Sequence, residues 1–238
     1  MSVSWNPWHG CKRVSEGCQN CYVYRIDGAH GKESRTVTLN ADFLLPLRGQ
    51  GGSSKIRSGE TVYTCFSSDF LIEEADEWRE DAWNMMRLRA DLHFVFFTKR
   101  IHRLEQVLPR DWGNGYENVT VGCTCENQKR ADERLPILLS LPIAHRMIVC
   151  EPLLEPIDLH PYLDRTKIRS VTAGGESGEE ARVCDFEWIL GIRNACADAR
   201  IPFSYHQTGA LLRRDGRLYR IPRHRQQEQA KRACIDLV

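Results

Sequence analysis

Short runs of β-branched and aromatic residues recur along the chain, and they are apolar at consecutive positions rather than at alternate ones. Continuous apolar runs of this kind are typical of strands buried on both faces of a parallel sheet. They predict seven strands, at Val3–Trp5, Thr61–Phe66, Leu92–Phe97, Val119–Cys123, Arg146–Val149, Ile168–Thr172 and Phe203–Tyr205.

Segments between these runs carry the three-and-four spacing of an amphipathic helix. The clearest helix is predicted at about Leu71–Arg89, and a second at about Asn127–Leu139, where Pro136 is expected to shorten or kink it. A third is predicted at about Asp185–Ala199, with the aspartate as N-cap. The glycine- and serine-rich segment Arg48–Lys55 is predicted to be a mobile loop.

The alternation of strands and helices predicts an α/β fold. Polar or glycine-rich residues follow nearly every predicted strand. A (β/α) barrel builds its active site from the ends of several strands, whereas a doubly wound sheet concentrates such residues at one switch point. The pattern favours a partial (β/α) barrel of about six or seven parallel strands. We expect one domain over residues 1–238, with an N-terminal loop at 9–21 and a basic C-terminal extension at about 209–238.

Composition changes this picture little, except for cysteine. The chain has a net charge of +1, with 42% hydrophobic and 27% charged residues, so no global field directs it to nucleic acid or membrane. It lacks an apolar run of spanning length and a signal-like N-terminus, which predicts a cytoplasmic protein without a membrane partner. Its ten cysteines are therefore expected to be thiols or metal ligands.

Three cysteines lie close together in a loop that contains Gly10 and Gly17, with the spacing Cys11-x6-Cys18-x2-Cys21. Thiolates are the usual ligands of iron–sulfur clusters, and three ligands leave one iron of a four-iron cluster open. Two other interpretations remain. The cysteines are unligated thiols, or they bind a structural zinc with His9 as the fourth ligand.

Several motifs of the chain together resemble one enzyme superfamily. They are Trp5-Asn6-Pro7 with the three cysteines, Thr98-Lys99-Arg100, Glu126-Asn127-Gln128, Ala131-Asp132-Glu133-Arg134, Cys150-Glu151-Pro152-Leu153-Leu154 and Gly174-Gly175-Glu176-Ser177-Gly178. The segment Trp5–Tyr22 resembles the cluster loop of the radical S-adenosylmethionine superfamily. The chain as a whole resembles an uncharacterised phage-associated branch, distantly similar to spore photoproduct lyase. The six-residue first gap departs from the usual three, and Asn20 replaces the usual aromatic residue.

The resemblance implies a partial barrel with a [4Fe–4S] cluster on Cys11, Cys18 and Cys21. The open iron would bind the amino and carboxylate groups of S-adenosylmethionine. Reduction would then yield a 5′-deoxyadenosyl radical that abstracts hydrogen from a substrate, with an electron donor such as flavodoxin or ferredoxin as partner. The resemblance fixes no substrate, although analogy suggests a nucleic-acid base or nucleotide.

Polar residues after the strands supply the candidate cofactor-binding residues, which are Ser67, Ser68, Asp69, Glu126, Asn127, Gly174, Gly175, Glu176 and Ser177. Each group also has a structural interpretation. The alternative for Asp69 is that it caps a helix that starts at Phe70, and the alternative for Asn127 is that it caps the next helix. The alternative for the glycines is that they form a tight turn.

Four further strand-end residues are candidates for catalysis, namely Lys99, Cys150, Glu151 and His206. The alternative for Lys99 is a salt-bridged rim, and for Cys150 simple packing in the core. The basic C-terminal extension suits nucleic-acid phosphates or a solvated face. The alternative function is that of a zinc-stabilised, non-catalytic barrel that binds nucleic acid or a protein partner. A third possible function is that of an enzyme that uses the cluster only for electron transfer.

Overall fold

The structure is a computed structural model that describes residues 2–49 and 55–238. Its strands are β1 (Ser2–Trp5), β2 (Trp8–His9), β3 (Thr38–Leu39), β4 (Thr61–Thr64), β5 (His93–Thr98), β6 (Val119–Thr124), β7 (His145–Cys150), β8 (Ile168–Gly174), β9 (Cys184–Asp185), β10 (Phe203–Gln207), β11 (Leu211–Arg214) and β12 (Arg217–Arg220). Its α-helices are α1 (Tyr22–Ala29), α2 (Asp76–Leu88), α3 (Gln128–Ser140), α4 (Phe186–Ala199) and α5 (Gln226–Arg232).

Seven parallel strands form one sheet, in the order β1-β4-β5-β6-β7-β8-β10. All seven predicted strands are therefore present, and the prediction of a partial (β/α) barrel is confirmed. The parallel register pairs Trp5 with Thr64 and Thr64 with Phe96, so these neighbouring strands end side by side. Polar residues that follow them are consequently brought to the same edge of the sheet.

The chain divides into two compact units. The first unit comprises Met1–Val14, Val23–Gly122 and Leu141–His145, and the second comprises Ser15–Tyr22, Cys123–Ser140 and Arg146–Val238. The cysteine loop thus contributes Cys11 to the first unit and Cys18 and Cys21 to the second. The expectation of a single domain stays a prediction.

Aromatic side chains fill the core of the first unit. Phe70 is stacked on Trp8 with ring centroids 5.4 Å apart, and it contacts the Phe96 ring at 4.6 Å. Trp83 of α2 meets Phe70 edge-on at 4.7 Å and Trp112 at 5.0 Å. Pairs of this geometry add about 0.5–1.5 kcal/mol each beyond the area they bury, so they fix α2 against β5.

Two predicted helices differ from the observed ones in informative ways. α2 begins at Asp76 and not at Leu71, because the side chain of Asp69 accepts a hydrogen bond from Leu71 N at 2.9 Å and the chain turns there. The expectation that Asp69 caps a helix starting at Phe70 is therefore wrong. α3 runs through Pro136 to Ser140, so the expected shortening is also wrong.

The helix predicted after Asp185 is confirmed. The Asp185 carboxylate accepts a hydrogen bond from Glu187 N at 3.0 Å, which is the N-cap interaction. Most of the predicted loop Arg48–Lys55 lies outside the described residues. Over the ranges that are described, every helix is too short or too polar to cross a membrane.

Three elements carry no clear signal in the sequence: α1, the β11–β12 hairpin and α5. α1 contains Gly28 and buries only Val23 and Asp27, so it lacks an apolar stripe. The hairpin has hardly any apolar alternation, since β12 is exposed at all four positions. The basic extension is therefore folded as a hairpin followed by a helix.

Candidate functional site

In the first unit, the backbone around Cys11 is held by hydrogen bonds from several segments. Gly10 N donates to Ser67 O at 3.1 Å, and Cys11 N donates to Ser34 O at 2.8 Å. The Tyr24 hydroxyl donates to Cys11 O at 2.6 Å. Gly10 has φ +96°, and a Cβ there would lie 2.3 Å from Thr36 O, so this position requires glycine.

Two serines that follow β4 also hold this loop. Ser68 Oγ donates to Gly10 O, and Ser67 Oγ donates to Trp8 O at 3.4 Å. Ser67 N donates to Asn6 Oδ1 at 3.0 Å. The Ser68 hydroxyl thus contacts a carbonyl of the cysteine loop, and the Ser67 hydroxyl contacts one in β2 at the start of that loop. Their predicted contact with a cofactor stays a prediction.

Asp69 organises the strand ends of the first unit. Its buried carboxylate accepts hydrogen bonds from Thr98 Oγ1 at 2.8 Å and from Lys99 N at 3.1 Å. Arg100 Nη1 lies 3.0 Å from Asp69 Oδ2 and 3.7 Å from Cys11 Sγ. Burial lowers the pKa of Arg100, but Asp69 and Cys11 outweigh it and hold that pKa above its usual value. Arg100 therefore places a fixed positive charge beside the sulfur of Cys11.

In the second unit, the other two cysteines flank a short turn. Cys18 ends the 3₁₀ turn Glu16–Cys18 and is buried, whereas Cys21 immediately precedes α1 and is half-buried. Gly17 N donates to Glu126 Oε1 at 3.2 Å. Glu126, at the end of β6, is fully buried and forms an ion pair with Arg134 of α3 at 2.8 Å. The cysteine turn is thereby attached to the end of β6.

Glu16 attaches the same turn to α3 on the surface. Arg130 donates to both carboxylate oxygens of Glu16, at 2.9 and 3.0 Å, and this lowers the pKa of Glu16 to about 2. Asn127 accepts a hydrogen bond from Arg130 N at 2.9 Å through Oδ1. The predicted capping role of Asn127 at the start of α3 is therefore confirmed.

Glu176 follows β8 and completes the attachment of the cysteine loop in the second unit. It accepts hydrogen bonds from Asn20 Nδ2 at 3.1 Å and from Arg182 Nη2 at 2.6 Å. Burial raises the pKa of Glu176, but the hydrogen bonds from Arg182 more than offset this and lower it overall. Arg182 also donates to Glu16 O at 3.0 Å.

The ends of β7 and β10 meet at Glu151. His206 Nδ1 lies 2.8 Å from Glu151 Oε2, and Gln207 donates to Oε1 of the same carboxylate. A Cβ on Gly174 would approach Glu151 Oε2 to 2.9 Å, and one on Gly175 would approach Thr208 O to 2.4 Å. These glycines let the end of β8 lie close to the residues that follow β7 and β10. The adjoining Ser177 is half-buried.

The remaining cysteines divide into buried ones and one exposed one. Cys150 is fully buried at the end of β7, and burial raises the pKa of its thiol. Cys123 and Cys125 are also fully buried, whereas Cys234 near the C-terminus is exposed. All ten cysteines lie in the described residues, and none forms a disulfide. Cys150 therefore packs in the core, and its candidate role in catalysis stays a prediction.

Four arginines form much of this network, and the sequence predicts only one of them as a strand-end residue. Arg100 adjoins the predicted Lys99, whereas Arg134, Arg182 and Arg223 come from α3 and from later loops. Arg223 Nη1 donates to Gln207 Oε1 at 2.9 Å. A signal that could reveal Arg134 is its position eight residues after the strand-end Glu126.

The chemistry of the loop residues fits a thiolate-bound metal centre. Cys11, Cys18 and Cys21 are thiols, and a guanidinium beside Cys11 favours its thiolate form. Within the ranges 2–49 and 55–238, no group of three or more His, Cys, Asp or Glu side chains is placed to hold a metal ion. The three-cysteine ligand set accordingly stays a prediction from sequence and donor chemistry.

Fold and contacts define a class of protein: a partial (β/α) barrel whose cysteine loop follows β1 and, in each unit, is hydrogen-bonded to strand-end side chains. The chain belongs to the family described as "Protein of unknown function (DUF5131)", whose sequence profile matches residues 1–235. No curated protein and no solved structure matches the chain.

Proposed function

We propose that this chain is a radical S-adenosylmethionine enzyme that holds a [4Fe–4S] cluster through Cys11, Cys18 and Cys21. The observation that carries the proposal is the tethering of the cysteine loop to side chains at the ends of several parallel strands. Active sites of (β/α) barrels lie at those ends. When bound, such a cluster supplies the electron that cleaves S-adenosylmethionine and so begins hydrogen abstraction from the substrate.

The chain's own contribution is to hold the loop. Asp69 fixes Arg100, whose positive charge offsets the negative charge of a Cys11 thiolate. Glu126 and Glu176 hold the second half of the loop through Gly17 N and Asn20. Each of these three carboxylates also bonds an arginine, so we assign them to positioning the loop.

Other strand-end groups remain for S-adenosylmethionine and substrate. The proposal keeps Ser67, Ser68, Asn127, Gly174, Gly175 and Ser177 as cofactor contacts. Glu151 is half-buried and His206 is exposed, and the two can exchange a proton through Nδ1 of the histidine. An electron donor such as flavodoxin or ferredoxin is the expected partner.

Anaerobic reconstitution with iron and sulfide tests the proposal. We expect a brown protein with about four iron atoms per chain, and formation of 5′-deoxyadenosine when it is reduced with S-adenosylmethionine. Cys11→Ser, Cys18→Ser and Cys21→Ser should each lose most of the iron, whereas Cys234→Ser, outside the loop, should keep it. A cluster that forms without yielding 5′-deoxyadenosine would indicate electron transfer alone.

A zinc-stabilised, non-catalytic barrel that binds nucleic acid or a protein partner is the second candidate, because of His9. Its Nε2 lies 2.9 and 3.1 Å from the two oxygens of Asp27, and Ser34 Oγ donates to Asp27 at 2.7 Å. Carboxylates orient zinc-binding histidines in this way. A colourless protein with one zinc, which His9→Gln releases, would favour this candidate and contradict the cluster.

A further inference from the structure

Charge is unevenly distributed along the chain. Residues 209–238 contain eight of the 33 Lys and Arg residues but only three of the 32 Asp and Glu residues. This segment therefore carries a net charge of +5, and residues 1–208 carry −4, although the whole chain carries only +1. A near-neutral protein with one strongly basic segment has a local field that its total charge conceals.

The fold presents much of this charge on the β11–β12 hairpin. The strands are antiparallel, with Arg213 opposite Leu218 and Arg214 opposite Arg217. They are joined by Asp215 and Gly216, both with positive φ, as in the tight turns that match strand twist. Every residue from 213 to 220 is exposed. β11 also pairs with β9 at Leu212 and Arg213, so β12 is the open edge of a three-stranded sheet. Beyond that pairing, the turn end of the hairpin from Arg214 to Arg217 is a narrow, two-stranded ribbon in solvent.

Among the residues that the structure describes, two of the four arginines of the ribbon lack an acidic partner. Arg213 lies 3.7 Å from Asp185, and Arg214 lies 3.6 Å from Asp215. By contrast, no ion pair in the described part of the chain involves Arg217 or Arg220. Between these two arginines stand Leu218 and Tyr219, with 52% and 44% of their surface exposed. The edge strand β12 thus combines unneutralised charge with exposed apolar surface.

We infer that the β11–β12 ribbon binds duplex DNA, with Arg217 and Arg220 on the phosphates. Duplex DNA has the complementary charge, and its major groove is wide enough to admit a two-stranded β-ribbon. Single-stranded nucleic acid fits less well, because Tyr219 is the lone exposed aromatic side chain of the ribbon and successive bases need several to stack on. The deep, narrow major groove of duplex RNA excludes such a ribbon.

The basic segment also reaches the strand-end groups of the second unit. Arg223 donates to Gln207 at the end of β10, and Gln227 Nε2 lies 3.2 Å from His206 Nε2. The segment that carries the ribbon is therefore anchored to the end of β10. The inference does not rest on the proposed function, since a non-catalytic barrel would bind DNA through the same residues.

Fluorescence anisotropy with the full-length chain and a labelled DNA duplex tests this binding across a salt series. Arg217→Gln/Arg220→Gln should weaken binding about tenfold. It should also reduce the magnitude of the slope of log K against log salt concentration by about two, because two phosphate contacts are lost. The matched control is Lys129→Gln/Arg165→Gln, which removes the same charge from two other exposed positions of the second unit. It should bind almost as the unmodified protein does.

Four outcomes would overturn the inference. They are no binding to duplex DNA, equal weakening in both double variants, tighter binding of single-stranded DNA, and tighter binding of duplex RNA. Because all four substituted side chains are exposed, both double variants should keep the melting temperature of the unmodified protein. Since the assay needs no cluster, its failure is distinct from failure of the proposed enzyme activity.

Discussion

Arg134 Nη1 lies 2.8 Å from Oε2 of Glu126, and both side chains are buried. The pair joins α3 to the end of β6. Glu126 also accepts a hydrogen bond from Gly17 N, so a single carboxylate links α3, the end of β6 and the cysteine turn. Contacts of this kind are more costly to break than surface ion pairs, because the remaining charge stays buried without its partner.

Arg134→Met should therefore lower the free energy of unfolding by about 3–5 kcal/mol. Arg232→Met is the control, since it removes an exposed partner of Glu228 and should cost less than about 1 kcal/mol. Urea unfolding followed by circular dichroism measures both changes. Similar losses in the two variants would show that the buried pair contributes no more than the exposed one.

Gly10→Ala should destabilise the protein by at least about 1–3 kcal/mol, because its φ of +96° is strained for alanine and its Cβ would clash with Thr36 O. Gly28→Ala is the matched control. A Cβ there meets no atom within 4 Å, and alanine inside α1 should stabilise by about 0.5–1 kcal/mol. Melting temperatures should move in opposite directions, and a shift in the same direction would contradict the assigned backbone constraint.

The pair of His206 with Glu151 should make stability depend on pH. The hydrogen bond that His206 Nδ1 donates to Glu151 raises the pKa of His206 in the folded protein despite partial burial. The pair's contribution is therefore complete below the ordinary histidine pKa of about 6.5 and is lost as the pH rises through the raised folded value. Since His206 is 48% exposed, solvent screening should keep it below about 1 kcal/mol.

Unfolding free energies of wild type and His206→Gln, compared at mildly acidic and mildly alkaline pH, measure this effect. The difference should be larger at the acidic pH. Glu151→Gln should bring the His206 pKa, followed by NMR, back towards its ordinary value. An unchanged His206 titration in that variant would refute the assigned cause.

Alkylation should distinguish the buried from the exposed cysteines. Cys234 is exposed and should react with iodoacetamide in the native protein, whereas Cys150 is fully buried and its thiol pKa is raised, so it should react only after unfolding. Peptide mass spectrometry reports each site separately. If Cys150 were labelled as quickly as Cys234, the end of β7 would have to open to solvent.

The sequence predicted the seven parallel strands and the polar residues that follow them, because buried strands need continuous apolar runs. It placed α2 five residues early, since periodicity alone cannot show that Asp69 turns the chain before Asp76. It gave little sign of α1 and of the β11–β12 hairpin. Both have mostly exposed side chains, and exposure removes the apolar pattern from which elements are recognised.

The sequence by itself determined the open parallel sheet, the cysteine spacing and the positions of the strand-end residues, because these follow from apolar periodicity and local order along the chain. Only the tertiary structure decided which groups meet there. Glu126 and Arg134, eight residues apart, meet because α3 packs back on the end of β6, whereas Glu151 and His206, 55 residues apart, are brought together by the parallel sheet. Burial then requires each carboxylate to have a partner, and the identity of that partner depends on the folded geometry.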